Sequence, residues 1–523
     1  MGHKDETEVS ESHVRGIEDV GNIKNEVLRE DNATEHVMTV KDVFKNHPWV
    51  VWWSFYWAMA GVGWGFDAQV NGGMLGVEWF RRDFGYYFED GDKSGWEIET
   101  PWLSAFNTVS SVGQFFGGFA CSYTADRFGR RPALLAGILI VTGGIFGEMF
   151  STTKVAFLMS KLILGFGLGY YLTLSPLGAS EIAPVVFRGM ATTAVQFGLG
   201  SGQLLSNAVI KIFGEWENHW AYRAPFGIQL FFCAFLLIGL PFAPESPWYL
   251  VRQGRRDDAK ASLRRLYGEN IDLDAKLLTF EATVAEEEAA QQETGSLIQC
   301  FQGTNLIRAI ISMYIFCCQH FVGIIFVLGF STYFFQLAGL ETSDSFDLGV
   351  GVTACGLLGN IVSWFVVNRV GRRKVFLTGI FTLTAILIII GILDVVPTGA
   401  AKWVQSSLTV FYAFVYFLSL GAMAFVILGE TSSTTLRAPT IALATATQAV
   451  MGTAFNFAIP YMVNPTAANL NGKVGFVFGG LGFLASIGSW FLIPELKDRT
   501  FDEIDTMFQK KVPPRKMGSY QFY

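Results

Sequence analysis

The chain reads as long apolar blocks separated by short polar turns. A helix that crosses a bilayer needs about 20 mostly apolar residues. Blocks of that kind lie at 49–72, 102–124, 132–150, 155–179, 190–212 and 224–242, and again at 305–336, 347–367, 374–394, 404–429, 437–463 and 473–493. The pattern predicts an all-α membrane protein with twelve transmembrane helices in two sets of six. The N-terminal bundle spans 49–242 and the C-terminal bundle 305–493. A linker occupies 243–304, and polar tails occupy 1–48 and 494–523. The linker begins with Arg252, Arg255, Arg256, Lys260, Arg264 and Arg265, and reads as short amphipathic helices on a membrane surface.

The polar positions add orientation and symmetry. Lys and Arg in short loops mark the cytoplasmic side. One basic turn runs from Asp126 through Arg127 and Gly129 to Arg130 and Arg131, and a second from Arg369 through Gly371 to Arg372 and Arg373. With twelve spans, both turns, the linker and both termini fall on that side, and the acidic, aromatic loop at 73–101 falls outside. The halves also repeat. The turn Arg-x-Gly-Arg-Arg occurs in both, and Glu181 with Arg188 seven residues on is matched by Glu430 with Arg437. Repetition of this kind indicates two pseudo-symmetric bundles.

Composition agrees. Charged residues make up 16% of the 523 and mean hydropathy is +0.36, against about 25% charged in soluble proteins. The six cysteines show no disulfide or metal spacing and read as packing residues. No phosphate loop, metal cluster or nucleophile–base pattern stands out, so no enzyme activity, cofactor or metal is expected, nor a nucleic-acid partner. Substrate, protons and lipid are the expected partners, with the chain a monomer.

The basic turns and Glu–Arg pairs resemble the sugar-porter family of the major facilitator superfamily. So do Pro244-Glu245-Ser246-Pro247-Trp248-Tyr249-Leu250 after the sixth block and Pro494-Glu495-Leu496-Lys497-Asp498-Arg499-Thr500 after the twelfth. Within that family, Ala243 through Arg252, Ser331 through Phe335 and Arg499 through Lys516 look most like fungal maltose-type α-glucoside permeases. There are departures. Ser122 and Asn368 replace the usual Gly and Asp of the basic turns, Ile325 replaces the seventh-helix sugar-bonding Asn, and Phe425 replaces a tenth-helix Trp. The last two point away from a simple hexose pocket.

The resemblance assigns roles. Asp67, a carboxylate inside the first block, corresponds to the proton acceptor of proton-coupled sugar porters. Lys161 stands where the family carries the Arg that pairs with it. Two further acids common in maltose-type permeases correspond here to Trp64 and Gln114. Gln196, Gln203 and Asn207 share a helical face with Gly200, and amides suit sugar hydroxyls because they both donate and accept. Gln319 and His320 replace a Gln pair of the seventh helix, and Gln448 and Asn456 flank Gly452. Phe425 is a candidate stacking ring, with Phe455 and Trp64 beside it. Substrate contacts are therefore expected from Gln196, Gln203, Gln319, His320, Phe425, Gln448 and Asn456. Asp126, Arg127, Arg130, Arg131, Glu181, Arg188, Arg369, Arg372, Glu430 and Arg437 are expected to latch the two halves in the outward-open state. Polar residues also serve as helix–helix glue and loop arginines as topology signals, and these plainer roles stay open. The function implied is proton-coupled uptake of an α-glucoside or related sugar by alternating access at the plasma membrane. An uncoupled sugar or polyol facilitator, a nutrient sensor and a metabolite exporter are the alternatives.

Overall fold

The computed structural model describes residues 40–90, 93–268, 272–293, 297–396, 398–432, 436–497, 499 and 501–520; the N-terminal tail before residue 40 lies outside them. A short helix, α1 (Val40–Asn46), leads into α2 (Pro48–Gly73), the first spanning helix. The stretch after it, read from sequence as a plain loop, holds a helix α3 (Glu78–Phe84) and an antiparallel hairpin, β1 (Tyr86–Asp90) with β2 (Lys93–Glu97), pairing Tyr86 with Glu97. Then come α4 (Thr100–Phe128), α5 (Arg130–Phe150), α6 (Lys154–Ile182), α7 (Val185–Phe213) and α8 (Trp220–Gly239). The connecting stretch carries α9 (Pro247–Arg252), α10 (Arg256–Tyr267) and α11 (Leu273–Glu293).

In the second half the seventh span is broken into α12 (Asn305–Phe321) and α13 (Ile324–Leu337), and the tenth into α16 (Gly399–Leu418) and α17 (Leu420–Thr431). Between and after them lie α14 (Thr342–Val370), α15 (Arg372–Val395), α18 (Arg437–Val463), α19 (Val474–Leu492) and a final amphipathic α20 (Phe501–Gln509). Counting each broken span once gives twelve.

Among the described residues, eight of the twelve are long and apolar enough to cross a membrane on composition alone. The other four, α2, α4, α7 and α18, have 26, 29, 29 and 27 residues. At about 1.5 Å per residue each clears the roughly 30 Å hydrocarbon layer. What they lack is uniform apolarity, and the packing explains it. Each lies against the opposite half: α2 on α13, α4 on α18, and α7 on α14. A helix that faces protein on one side need not be apolar all round. Within the halves the packing repeats as the sequence does. The pairs α4–α6, α2–α7 and α5–α8 recur as α14–α16, α12–α18 and α15–α19.

Each half also repeats one local device at its basic turn. Gly129 and Gly371 have φ of 103° and 101°, a region that favours glycine. A Cβ on either would sit 2.9 Å from Glu245 Oε2 or 2.8 Å from Glu495 Oε2. Those carboxylates accept from the first free amides of the following helix. Arg130 N and Arg131 N donate to Glu245 at 2.8 and 3.2 Å, and Arg372 N and Arg373 N to Glu495 at 2.9 and 3.2 Å. An acid at a helix N-terminus satisfies orphan amides and the positive end of the dipole together. The motifs after the sixth and twelfth spans are thus capping segments.

The last segment is part of the body. The buried Arg308 of α12 pairs with Asp505 of α20 at 2.6 Å and lies over the Phe508 ring at 4.4 Å. Ile504, Met507, Phe508 and Met517 are buried with it.

Among the described residues, the hydrogen bonds between the halves gather at the hairpin end of the bundle, away from the basic turns. Gly72 lies so close to the Gly329 carbonyl that no side chain fits between α2 and α13. Around this contact, Gln69 Nε2 donates to Leu328 O at 2.9 Å, Gln336 Nε2 to Gly76 O at 2.9 Å, Asn207 Nδ2 to Gly349 O at 2.8 Å and Ser104 Oγ to Phe457 O at 2.9 Å. Lys211 pairs with Asp347. At the rim, the Tyr333 hydroxyl donates to Glu97 Oε2 at 2.8 Å, and Arg81 reaches Gln336 Oε1 at 3.4 Å.

Three outcomes follow. Glu245→Gln weakens charge-assisted caps, so thermal unfolding in detergent should show a loss of about 1–3 kcal/mol. Asp126→Asn, at a 73%-exposed side chain 3.5 Å from Arg130, should change stability by less than about 0.5 kcal/mol. Burial also holds the Glu97 carboxyl above its ordinary range, against the opposing pull of Arg81 and the Tyr333 hydroxyl. Opening the hairpin end returns Glu97 to water, so the closed form binds the proton more tightly. Closure is therefore favoured at low pH, and the advantage is lost as pH rises through the closed-state value. Spin labels at Glu89 and Ala468 should show the closed population growing on acidification, with Glu97→Gln reducing the response.

Candidate functional site

Two polar regions interrupt the apolar interior. The first lies wholly within the N-terminal half, toward the hairpin end. Asp67 on α2 and Glu148 on α5 are both 0% exposed, and Lys161 on α6 is 3% exposed. The sequence reading paired Lys161 with Asp67 directly. The structure places Asn71, one turn beyond Asp67 on α2, between them. Asn71 Nδ2 donates to Asp67 Oδ2 at 3.2 Å, and Lys161 Nζ donates to Asn71 Oδ1. The ammonium's ionic partner is Glu148, with Nζ 3.0 Å from Oε1. Phe157 and Phe226 face Nζ at 5.2 and 5.4 Å from their ring centroids, a cation–π wall. A small cavity beside Lys161 and Asn71, bounded by Phe80, Phe106 and Asn107, has room for about one water.

Glu148, Asn71 and Gln229 were not among the residues picked out from sequence. Glu148 did carry a signal. It is the one charged residue within the 132–150 block, the same anomaly that marked Asp67. The Trp64 and Gln114 side chains meet, with Nε1 donating to Oε1 at 3.1 Å.

The second region lies within the C-terminal half. On α12, the His320 Nδ1 is 2.9 Å from Phe316 O. A carbonyl can only accept, so Nδ1 carries the hydrogen and Nε2 is left as an acceptor. Nε2 faces Gly452 of α18, where an added Cβ would lie 3.4 Å away, and the ring stacks on Phe455 at 6.3 Å and 16°. Gln448 and Asn456, one turn to either side of Gly452, are half-buried. His320 and this face of α18 thus form one wall. Gln319 is buried, and its Nε2 reaches Leu420 O at 3.4 Å, where the tenth span is broken. Phe425 on α17 is 45% exposed and edge-on to Phe316 at 5.4 Å.

On the other half, Gln196 of α7 is exposed and Gln203 half-buried. Asn207 is taken up in the closure, accepting from Gln69 Nε2 at 3.3 Å while its own amide donates to Gly349 O. The structure therefore joins the C-terminal candidates to one another and leaves Gln196 and Gln203 on a separate wall.

Among the described residues, the ion pairs at the basic end lie within each half. Arg130 binds Glu181 with Nη2 to Oε1 at 2.7 Å and reaches Asp126 at 3.5 Å, and Arg372 Nη2 binds Glu430 Oε1 at 2.6 Å. Arg127 donates to the Tyr123 hydroxyl at 2.6 Å, and Arg131 to Pro241 O at 3.1 Å. The Arg369 carbonyl accepts from Lys497 Nζ at 3.0 Å. The side chains of Arg188 and Arg437 lie outside the described residues.

Known proteins share this architecture. The profile of the "Sugar (and other) transporter" family matches residues 53–508. A general alpha-glucoside permease of Saccharomyces cerevisiae is 29% identical over 516 residues, 96% of this chain and 83% of the permease. The MFS transporter fmqE of Aspergillus fumigatus is 29% identical over 457 residues, 87% of this chain and 85% of that protein. The inward-open xylose transporter XylE from E. coli superposes with a TM-score of 0.70 at 20% identity, over 88% of this chain and 99% of XylE, a likeness of fold. With the family profile covering most of the chain, the protein belongs to the sugar (and other) transporter family of the major facilitator superfamily, a multi-pass membrane transporter and not an enzyme.

Proposed function

We propose that the chain takes up a sugar, an α-glucoside or a close relative, by alternating access driven by a proton that binds Asp67. The observation that carries this reading is Asp67 itself. It is a fully buried carboxylate on a helix at the interface of the halves, with Asn71 on one oxygen and no partner on the other. A group so placed is costly as an ion and inexpensive as a neutral acid. Hence its charge state and the packing of α2 are linked. The substrate class rests on the permease relatives in yeast. The polar cluster of the C-terminal half is consistent with it, since His320, Gln448 and Asn456 offer uncharged donors and acceptors beside the Phe455 ring.

The arrangement of the halves supports an inward-facing form. Among the described residues, their mutual hydrogen bonds lie at the hairpin end, and the pairs Arg130–Glu181 and Arg372–Glu430 at the basic end lie within each half. On this reading the basic end is cytoplasmic, the membrane is the plasma membrane, and the charged turns exchange partners across the halves when the outer end opens. Movement of one charge down 100 mV releases about 2.3 kcal/mol. At roughly 1.4 kcal/mol per tenfold, voltage alone sustains roughly a fiftyfold gradient of neutral sugar per proton.

A second reading has a specific observation behind it. Where maltose-type permeases carry further acids, Trp64 and Gln114 form a neutral hydrogen bond. A chain with fewer titrating groups is closer to an uncoupled facilitator.

Uptake of labelled maltose, sucrose and glucose into transporter-deficient cells, with external pH recorded, separates the two. Accumulation with alkalinisation is expected, and Asp67→Asn should only equilibrate the sugar. Indifference to both the substitution and an uncoupler would establish the facilitator. In the same assay His320→Phe, which removes the Nε2 acceptor but keeps the stack on Phe455, should raise KM about tenfold or more through the lost hydrogen bond.

A further inference from the structure

We propose that Glu148 is a second carboxylate of the proton-coupling site, holding the Lys161 ammonium so that Asp67 is free to take up and release the proton. The inference rests on the reading of Asp67 as the proton acceptor and adds a residue that neither composition nor the resemblance assigns.

The argument is one of charge and geometry. Two carboxylates with no exposure share one buried ammonium. Lys161 sits on Glu148 at 3.0 Å, while Asp67 is reached only through the Asn71 amide. The orientation of that amide is consistent throughout: its oxygen faces the ammonium and its nitrogen faces the carboxylate. With Glu148 and Lys161 both ionised, the pair is neutral. Asp67 then takes the cluster between zero charge when protonated and one negative charge when ionised. Without Glu148, protonation of Asp67 would leave a buried ammonium with no counter-ion, a situation that strongly disfavours itself. Lys161 would instead hold Asp67 in its ionised form.

The remaining atoms fit. Asp67 Oδ1 and Glu148 Oε2 have no hydrogen-bond partner, and neither has Gln229 Nε2 on α8. The proton passes from water to an Asp67 carboxylate oxygen and later returns to water at the other side; no other bond forms or breaks. Lys161 is the cation acting on both carboxylates, Asp67 acts on Glu148, and the Gln229 amide lies close enough to act on Asp67 beside Asn71. Titratable groups toward the same end of the surrounding helices are engaged elsewhere. On α8, Tyr222 donates to Asp83 at 2.7 Å and Arg223 lies by the Tyr222 ring at 5.8 Å. On α7, Lys211 pairs with Asp347, and on α13 Tyr333 donates to Glu97.

The test is uptake of labelled maltose, with sucrose and glucose in parallel, into proteoliposomes under an imposed voltage. External pH is varied for wild type, Glu148→Gln, Glu148→Asp and the double variant Glu148→Gln with Lys161→Met. Each is first checked for a monodisperse profile in detergent. Glu148→Gln should need about tenfold more protons for half-maximal uptake, a shift of about one pH unit to the acid side. Glu148→Asp should recover part of that shift. Removing Lys161 as well takes away the cation that captures Asp67, so the double variant should return toward or past wild type. A wild-type profile in Glu148→Gln, or a double variant that fails to reverse it, would overturn the assignment of Glu148 while leaving Asp67 coupling intact. Collapse of both Glu148→Gln and the double variant in detergent, with Asp67→Asn stable, would make the cluster structural and overturn it too. Failure of wild type to accumulate any of the three sugars would instead sink the proton-driven reading, and this inference with it.

Discussion

Hydrocarbon offers no hydrogen-bond partners, and the architecture of this chain follows from that constraint. A polar group within the bilayer must be matched inside the protein or stay neutral. The four least apolar spanning helices accordingly each lie against the opposite half. Free amides at the start of α5 and α15 are met by Glu245 and Glu495 rather than by solvent. The Lys161 ammonium has a carboxylate, an amide oxygen and two aromatic faces around it. The matching is left incomplete at several buried atoms, Asp67 Oδ1 and Glu148 Oε2 among them.

Much of the fold was legible because length and apolarity are enough to mark a spanning helix, and because the same turn occurs twice. The eleventh block, 437–463, coincides with α18. The breaks in the seventh and tenth spans were not legible. Gly323 and Ser419 sit among apolar residues on both sides, so 305–336 read as one helix, although Gly323 has a left-handed backbone. Capping by Glu245 and Glu495 was hidden for a different reason. Each acid is more than 110 residues from the amides it meets, and no local pattern announces such a contact.

The polar sites were half visible. Asp67 stood out as an acid in an apolar block, and Lys161 was found by resemblance. The pairing of those two drew attention from Glu148, which the same physical criterion marks. Between the halves, amides could be assigned to helix faces, yet whether a face meets substrate space or a neighbouring helix is a matter of tertiary packing. Asn207, on the same face as Gln196, is spent on closing the hairpin end. The repeated caps and ion pairs stiffen each half separately, whereas among the described residues the hydrogen bonds between the halves are concentrated at one end. This is the arrangement needed for two bodies to rock about a shared site.

The docked C-terminal segment bears on how the protein is handled. A fusion or affinity tag is commonly joined near a terminus on the assumption that the last residues are dispensable. Here a junction placed just after the twelfth span would strip Asp505 and Phe508 from the buried Arg308 guanidinium, and with them a hydrophobic plug of Ile504, Met507 and Met517. A tag belongs beyond Tyr520, and a shortened form made for crystallisation would lose a brace of the C-terminal bundle rather than a loose end.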